Sequence, residues 1–162
     1  MKESNEGMKK LVELMAAYLI ASAVWAADSS GPPMFQIRAV LDAPSAESEP
    51  MSVVSKERKE VVTVEKAVLF DQTALKSAKV HLDRFGHPRI EITFSEKGRQ
   101  RFADITRQNR GQRLAIIIDG QLYCAPRIMA EIPGGKAEIS GSFSEQEAKD
   151  LAAKISDAVA KK

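Results

Sequence analysis

One cysteine and two histidines in 162 residues leave little material for the chemistry of small metal-binding or thiol-dependent proteins. A lone thiol cannot close a bridge within the chain, so no intrachain disulfide is available. Cys124 lies between Tyr123 and Ala125 on a predicted strand and reads as a small packing residue rather than a reactive one. His81 and His87 are separated by a strand and a turn, and no cysteine and carboxylate cluster completes a ligand set, so no structural metal is expected. Charge of one sign is scarce too. The 24 basic and 22 acidic residues nearly cancel, to a net of +2, and give the chain no strong long-range pull on an anionic partner. A local run, Lys97, Arg99, Arg101, Arg107, Arg110 and Arg113, reads as a solvated helix face and loop. Without a charge excess or interleaved aromatics, a nucleic-acid partner is not expected.

Catalytic patterns are missing as well. Gly141-Ser142-Phe143 lacks the second glycine of a nucleophile elbow, and no histidine is placed to activate Ser142. Gly134-Gly135-Lys136 lacks the spacing and the hydroxyl residue of a phosphate-binding loop and reads as a turn. No carboxylate sits in sequence apolar enough to mark a tuned catalytic acid. The expectation is a non-enzymatic chain that needs no cofactor.

The N-terminus carries a compartment signal. Lys9-Lys10 precede an apolar run from Leu11 to Val24, and Val24-Trp25-Ala26 offers residues tolerated at a cleavage site, which together read as a secretory signal peptide over residues 1–26, with Met8 as an alternative start. An amphipathic helix and an uncleaved anchor are the other readings of the same run. No later run approaches the ~20 apolar residues that cross a bilayer, so no transmembrane helix is expected beyond this segment. A periplasmic or otherwise exported location follows. Residues 27–60 read as an irregular segment with one strand, Met34 to Leu41, and residues 61–162 as the folded domain.

Within that domain the pattern is strand, helix, two strands, helix and strand: Val61 to Phe70, Asp71 to Ala78, Lys79 to Asp83, Arg89 to Phe94, Ser95 to Gln108 and Arg113 to Ile118. Leu114 to Ile118 is apolar on both faces, as in a strand covered on both sides. Asp119-Gly120 supplies the turn of a tight hairpin that returns over Gln121 to Ala125. Pro126 ends that pairing, Pro133-Gly134-Gly135 turns again, and Ala137 to Ser140 forms a short strand. Ser144 and Glu147 have capping-box spacing ahead of an amphipathic helix marked by Ala148, Leu151, Ala152, Ile155 and Val159. The fold class predicted is α+β: an antiparallel or mixed sheet with helices on one face, a βαββαβ-like core, then a hairpin and a C-terminal helix.

Several landmarks in order give this pattern a family likeness. Gly86 and Pro88 precede a strand, Phe94, Gly98, Phe102 and Thr106 surround the next helix, and Asp119-Gly120, Ala125-Pro126, Ile128, Ile132, Gly134-Gly135, Ile139-Ser140-Gly141, Phe143 and Ala148 follow. Over about residues 62 to 157 the chain resembles the head subdomain of the first periplasmic domain of SecD and SecDF, membrane subunits that assist the Sec protein translocase. Cys124 departs from the small residue usual there. The family's membrane segments, with their charged residues tied to proton use, have no counterpart here, so proton-driven pumping is not carried over. The resemblance implies transient capture of extended, partly apolar polypeptide, with the Sec translocase as the implied partner.

Sheet chemistry supports such an activity, because exposed strand edges lend hydrogen bonds to any sequence while neighbouring apolar side chains add tolerant affinity. The candidate binding residues are Tyr123, Ile128, Met129 and Ile132, near the hairpin and the loop after it. Ordinary packing of these four is the alternative reading. A different use of the same fold also stays open: a specific protein-interaction factor of the cell envelope, such as an inhibitor, an immunity-like protein or an assembly protein.

Overall fold

A computed structural model of the chain describes residues 33–54 and 59–161, so the predicted signal peptide lies outside the described residues. Two antiparallel sheets and two helices organise these residues. Strands β1 (Phe35–Leu41), β2 (Ser48–Ser52), β3 (Val61–Asp71), β6 (Leu114–Ile118) and β7 (Gln121–Cys124) form one sheet in the order β2-β3-β1-β6-β7. Strands β4 (Leu75–Leu82), β5 (Pro88–Phe94) and β8 (Lys136–Ile139) form the second, in the order β4-β5-β8. Helix α1 (Glu96–Gln108) follows β5 and helix α2 (Glu145–Ala160) follows β8. The fold is therefore α+β, as the sequence pattern predicts.

The five-stranded sheet curls until its outer strands meet. Val53 bridges Leu122 in parallel, and the Val54 amide donates to the Leu122 carbonyl at 2.8 Å. This closure creates a small barrel whose interior is packed by Val62, Val64, Ala115, Ile117 and Leu122, with Val40, Met51 and Val53 against them. The doubly apolar stretch from Leu114 to Ile118 is thereby accounted for. Ala115 and Ile117 face the barrel interior, whereas Leu114, Ile116 and Ile118 belong to a larger core outside it. That core lies between the two sheets and the helices. Phe70 of β3, Phe94 of β5 and Phe102 of α1 meet in it with ring centroids 4.6 to 5.6 Å apart, joining sheet, sheet and helix through one aromatic cluster.

Three details depart from the sequence reading. The helix expected over Asp71 to Ala78 is a single 3-10 turn, Gln72–Ala74, capped by the Asp71 carboxylate accepting from the Thr73 amide at 2.7 Å. The chain then enters β4 at Leu75. An irregularity in the β4–β5 register between Leu75 and Ser77 shifts the alternation, so Leu75 and Ala78, three residues apart, are both buried and imitate helical spacing. The sequence pattern predicts one strand in residues 27–60, and the structure adds a second, β2. Its Pro50 is tolerated because β2 pairs along its length only with β3. Finally, the strands divide between two sheets instead of sharing one.

Local turn and capping signals otherwise act at the residues that carry them. Asp119 and Gly120 take positive φ of 52° and 73° in the β6–β7 turn. Ser144 and Glu147 form a reciprocal capping box at the start of α2, with the Ser144 amide donating to Glu147 Oε2 at 2.6 Å. Ser95 caps α1 through its hydroxyl, which accepts from the Gly98 amide at 3.1 Å.

Candidate binding groove

Between β6 and β8 the large core opens to the surface as an apolar groove of about 410 Å³. Ile37, Leu114 and Phe102 lie at its base, Ile116 and Ala137 on its flanks, and the segment 126–132 forms a wall with Ile128, Met129 and Ile132. Ile128 is buried and belongs to the core. Ile132 is half-buried, and Met129 is 74% exposed at the lip. Three of the four candidate residues thus line one depression. Tyr123 does not.

Tyr123 instead packs its ring on Phe143, with centroids 5.6 Å apart, beside a smaller depression of about 190 Å³ that also includes Lys154 and Glu147. Partial burial raises its hydroxyl pKa above the ordinary value. The neighbouring Lys154 is held by Asp119 Oδ2 at 2.6 Å, which raises the pKa of the ammonium. Cys124, next along β7, is half-buried among core residues, and desolvation pushes its thiol up to about 12. A thiol so far from ionisation at neutral pH is a packing group.

The groove wall is a loop, but a tethered one. Pro126 carbonyl accepts from the Leu114 amide at 3.0 Å, the Ile128 amide donates to the Gln112 carbonyl at 2.8 Å, and the Ile128 carbonyl accepts from Gly111 at 2.7 Å. The Ile132 amide donates at 3.0 Å to Thr106 Oγ1, whose own proton goes to the Phe102 carbonyl at 2.8 Å within α1. Arginines complete the bracing. Arg113 Nε donates to the Ala125 carbonyl at 2.8 Å, Arg110 Nε to the Met129 carbonyl at 3.2 Å, and Arg127 to the Gly111 carbonyl.

This changes the meaning of the basic run. Arg99 and Arg107 pair with Glu96 and Asp104 on the helix surface, as a solvated face would. Arg110 and Arg113, in contrast, hold the groove wall in place, and Arg113 is further fixed by Glu60 at 2.7 Å. The loop arginines act as donors to main-chain carbonyls of the wall and its neighbours, a role composition alone does not disclose.

Sequence reasoning located the wall but missed the rest of the groove. Ile116 was visible as one of five consecutive apolar residues, yet nothing local marks it as the residue left half-exposed beside β8. Among the described residues no group of histidine, cysteine and carboxylate side chains could hold a metal ion. His81 and His87 instead lie 3.4 Å from Glu138 and 3.5 Å from Asp83, at the surface. Nor is any helix of the described residues long and apolar enough to cross a membrane.

Comparison with known proteins gives one consistent answer. The chain is 48% identical over 84 residues to the protein translocase subunit SecD of Sebaldella termitidis, which covers 52% of this chain and 21% of that protein. It is 45% identical over 78 residues to the protein translocase subunit SecDF of Thermus thermophilus, or 48% of this chain and 11% of that one. The chain therefore spans only about a fifth or less of these relatives. Among solved structures, one described as a membrane component SecDF that enhances protein export superposes with a TM-score of 0.61 at 27% identity, covering 76% of this chain and 61% of that one. The family model of the SecDF P1 head subdomain matches residues 48–158, more than half of the sequence, and the chain belongs to that family.

Proposed function

We propose that this head domain is a non-enzymatic binding module, exported through its N-terminal leader, whose groove transiently holds extended, partly apolar segments of unfolded polypeptide in connection with Sec-dependent translocation. The observation that carries the reading is the preformed groove itself. Its apolar lining spans Ile116, Ile128, Met129 and Ile132, and its wall is tied to α1 and β6 by main-chain and arginine hydrogen bonds. A rigid apolar groove binds without an ordering cost of its own, while having few polar groups inside it keeps selectivity low. Weak, tolerant affinity suits a protein that must release what it holds.

The test is binding of a labelled, permanently unfolded polypeptide followed by fluorescence anisotropy. Micromolar-range affinity is expected, with Met129→Glu or Ile116→Glu weakening it about tenfold or more by placing a charge against apolar side chains. Lys149→Glu, on the exposed face of α2, should leave binding unchanged. Absence of binding at any attainable concentration, or equal binding by all three variants, contradicts the reading. Strong retention of one folded envelope protein with no affinity for unfolded chains would favour a specific interaction factor instead.

A further inference from the structure

An incoming strand could in principle add to any of four sheet edges, and the structure treats them differently. Val53, just past β2, bridges Leu122 of β7, and the remaining edge of β2 includes Pro50, which has no amide hydrogen to donate to an added strand. The edge of β4 is capped midway by α2, whose Ser156 hydroxyl donates to the Ala78 carbonyl at 3.1 Å and accepts from the Ala78 amide at 3.4 Å. The edge of β8 remains, and Ala137 and Glu138 of that strand form one bank of the groove.

The register of β8 fixes which groups it offers. Ile90 pairs with Ile139 and Ile92 with Ala137, and the Phe94 amide donates to the Gly135 carbonyl at 2.9 Å. Antiparallel alternation then turns the main-chain groups of Gly135, Ala137 and Ile139 toward β5, and the N–H and C=O of Lys136 and Glu138 outward. Side-chain charges often guard such an edge. Here they are drawn back across the sheet: Lys136 Nζ lies 2.9 Å from Glu91 of β5, and Glu138 Oε1 lies 3.4 Å from His81 of β4. On the opposite bank, Arg110 and Arg127 are bonded to carbonyls, and among the described residues no carboxylate pairs with either. The wall therefore presents two guanidinium groups without an ion-pair partner beside an apolar channel and an open ladder, with Glu131 the carboxylate carried on the wall segment itself.

Resting on the polypeptide-binding reading above, we propose that the occupant is an extended segment that adds to β8 as a fourth strand of the β4-β5-β8 sheet. Its main chain pairs with Lys136 and Glu138. Its alternate side chains enter the groove against Ile116 and Ile132, and an acidic residue at its flank faces Arg110 and Arg127. The class of ligand follows from this geometry: segments with apolar residues at every second position and anionic or neutral flanks, in β conformation rather than helical. Main-chain pairing supplies affinity without regard to sequence, and the groove and its arginines supply a bias.

The test uses the full chain and three synthetic peptides with alternating valine and serine between glutamates: the parent, and two versions N-methylated in the two alternate frames. N-methylation removes donors from one edge of an extended strand and leaves the other edge intact. One frame should bind at least tenfold more weakly than the parent and the other within about threefold, since two hydrogen bonds are lost in only one of them. A parent flanked by lysine should bind more weakly at low salt, with the difference shrinking as salt rises. In the same samples, amide exchange at Lys136 and Glu138 should slow on binding. If the parent binds and both methylated frames bind equally well, strand addition is wrong while the groove reading survives. If the parent itself fails to bind, the reading beneath it falls.

Discussion

Replacing Gly98 by alanine tests how the first helix is seated. By helix propensity alone this substitution in the first turn of α1 should stabilise the protein by up to about 1 kcal/mol. The structure reverses the sign. A Cβ at this position would stand 2.0 Å from the Ala74 carbonyl oxygen, against roughly 3.3 Å for a close carbon-to-oxygen contact, so α1 would have to withdraw by on the order of 1 Å. The obstacle is main chain and cannot rotate away. The same carbonyl accepts the Ser95 amide and the Ser95 hydroxyl, both at 3.0 Å, so withdrawal strains the cap that starts the helix. Overpacking of this kind costs about 1–3 kcal/mol and each of the two weakened hydrogen bonds about 1 kcal/mol, which leaves a net loss of about 2–4 kcal/mol after the propensity gain. In urea unfolding that loss moves the midpoint down by about 1–2 M. Gly134→Ala is the control, because an added Cβ there meets nothing within 4 Å, and its midpoint should hardly move. Because Phe102 and Thr106 ride on α1, Gly98→Ala should also loosen the Ile132 tether. A Gly98→Ala protein as stable as the parent, or more stable, would refute the reasoning.

Other consequences follow from local chemistry. Ser144→Ala removes one arm of the capping box at the start of α2 and should lower unfolding stability by about 1 kcal/mol, measured in the same urea assay. Cys124, with its thiol pKa near 12, should react with an alkylating reagent at pH 8 about a thousandfold more slowly in the folded protein than in urea, read by mass spectrometry. The Arg89 guanidinium, 2.8 Å away, and the His87 amide hold the Asp83 carboxyl well below the usual carboxylate range. A carboxylate depressed in the folded state stabilises above its unfolded pKa of about 3.9 and loses that contribution as pH falls through the folded value. The stability deficit of Asp83→Asn seen at pH 7 should therefore shrink below about pH 4; a deficit constant from pH 7 to pH 2 would show that Asp83 contributes through something other than its charge.

How much of this was legible beforehand depends on whether the signal was local. The tight turn at Asp119-Gly120 and the cap at Ser144 rest on contacts within a few residues, and each was readable. The first half of β4 was not legible as strand, because a register shift buries both Leu75 and Ala78, three apart in sequence, a spacing that fits a helix equally well wherever the pairing partner is unknown. The barrel was invisible for a related reason. Its closure needs Val53 to meet Leu122, sixty-nine positions away by their numbering, and neither residue carries a mark of that meeting. The groove falls between these cases. Ile128, Met129 and Ile132 are neighbours in sequence and could be named together, whereas Ile116, Ala137 and the two outward residues of β8 join them only through the packing of two sheets. Tyr123 was grouped with them by proximity in sequence, but as the middle of a strand whose side chains alternate it turns to Phe143 instead.

The most direct measurement places a photoreactive side chain at Met129, on the lip of the groove, and a second at Phe85, which is similarly exposed at 69% on the β4–β5 turn outside it. Each variant of the chain is irradiated with a reduced, unfolded polypeptide and with the same polypeptide folded. Crosslinking from position 129 to the unfolded form alone, with little from position 85, is the expected result. Equal yields from the two positions, or no preference for the unfolded form, would contradict the proposal that the groove binds unfolded polypeptide.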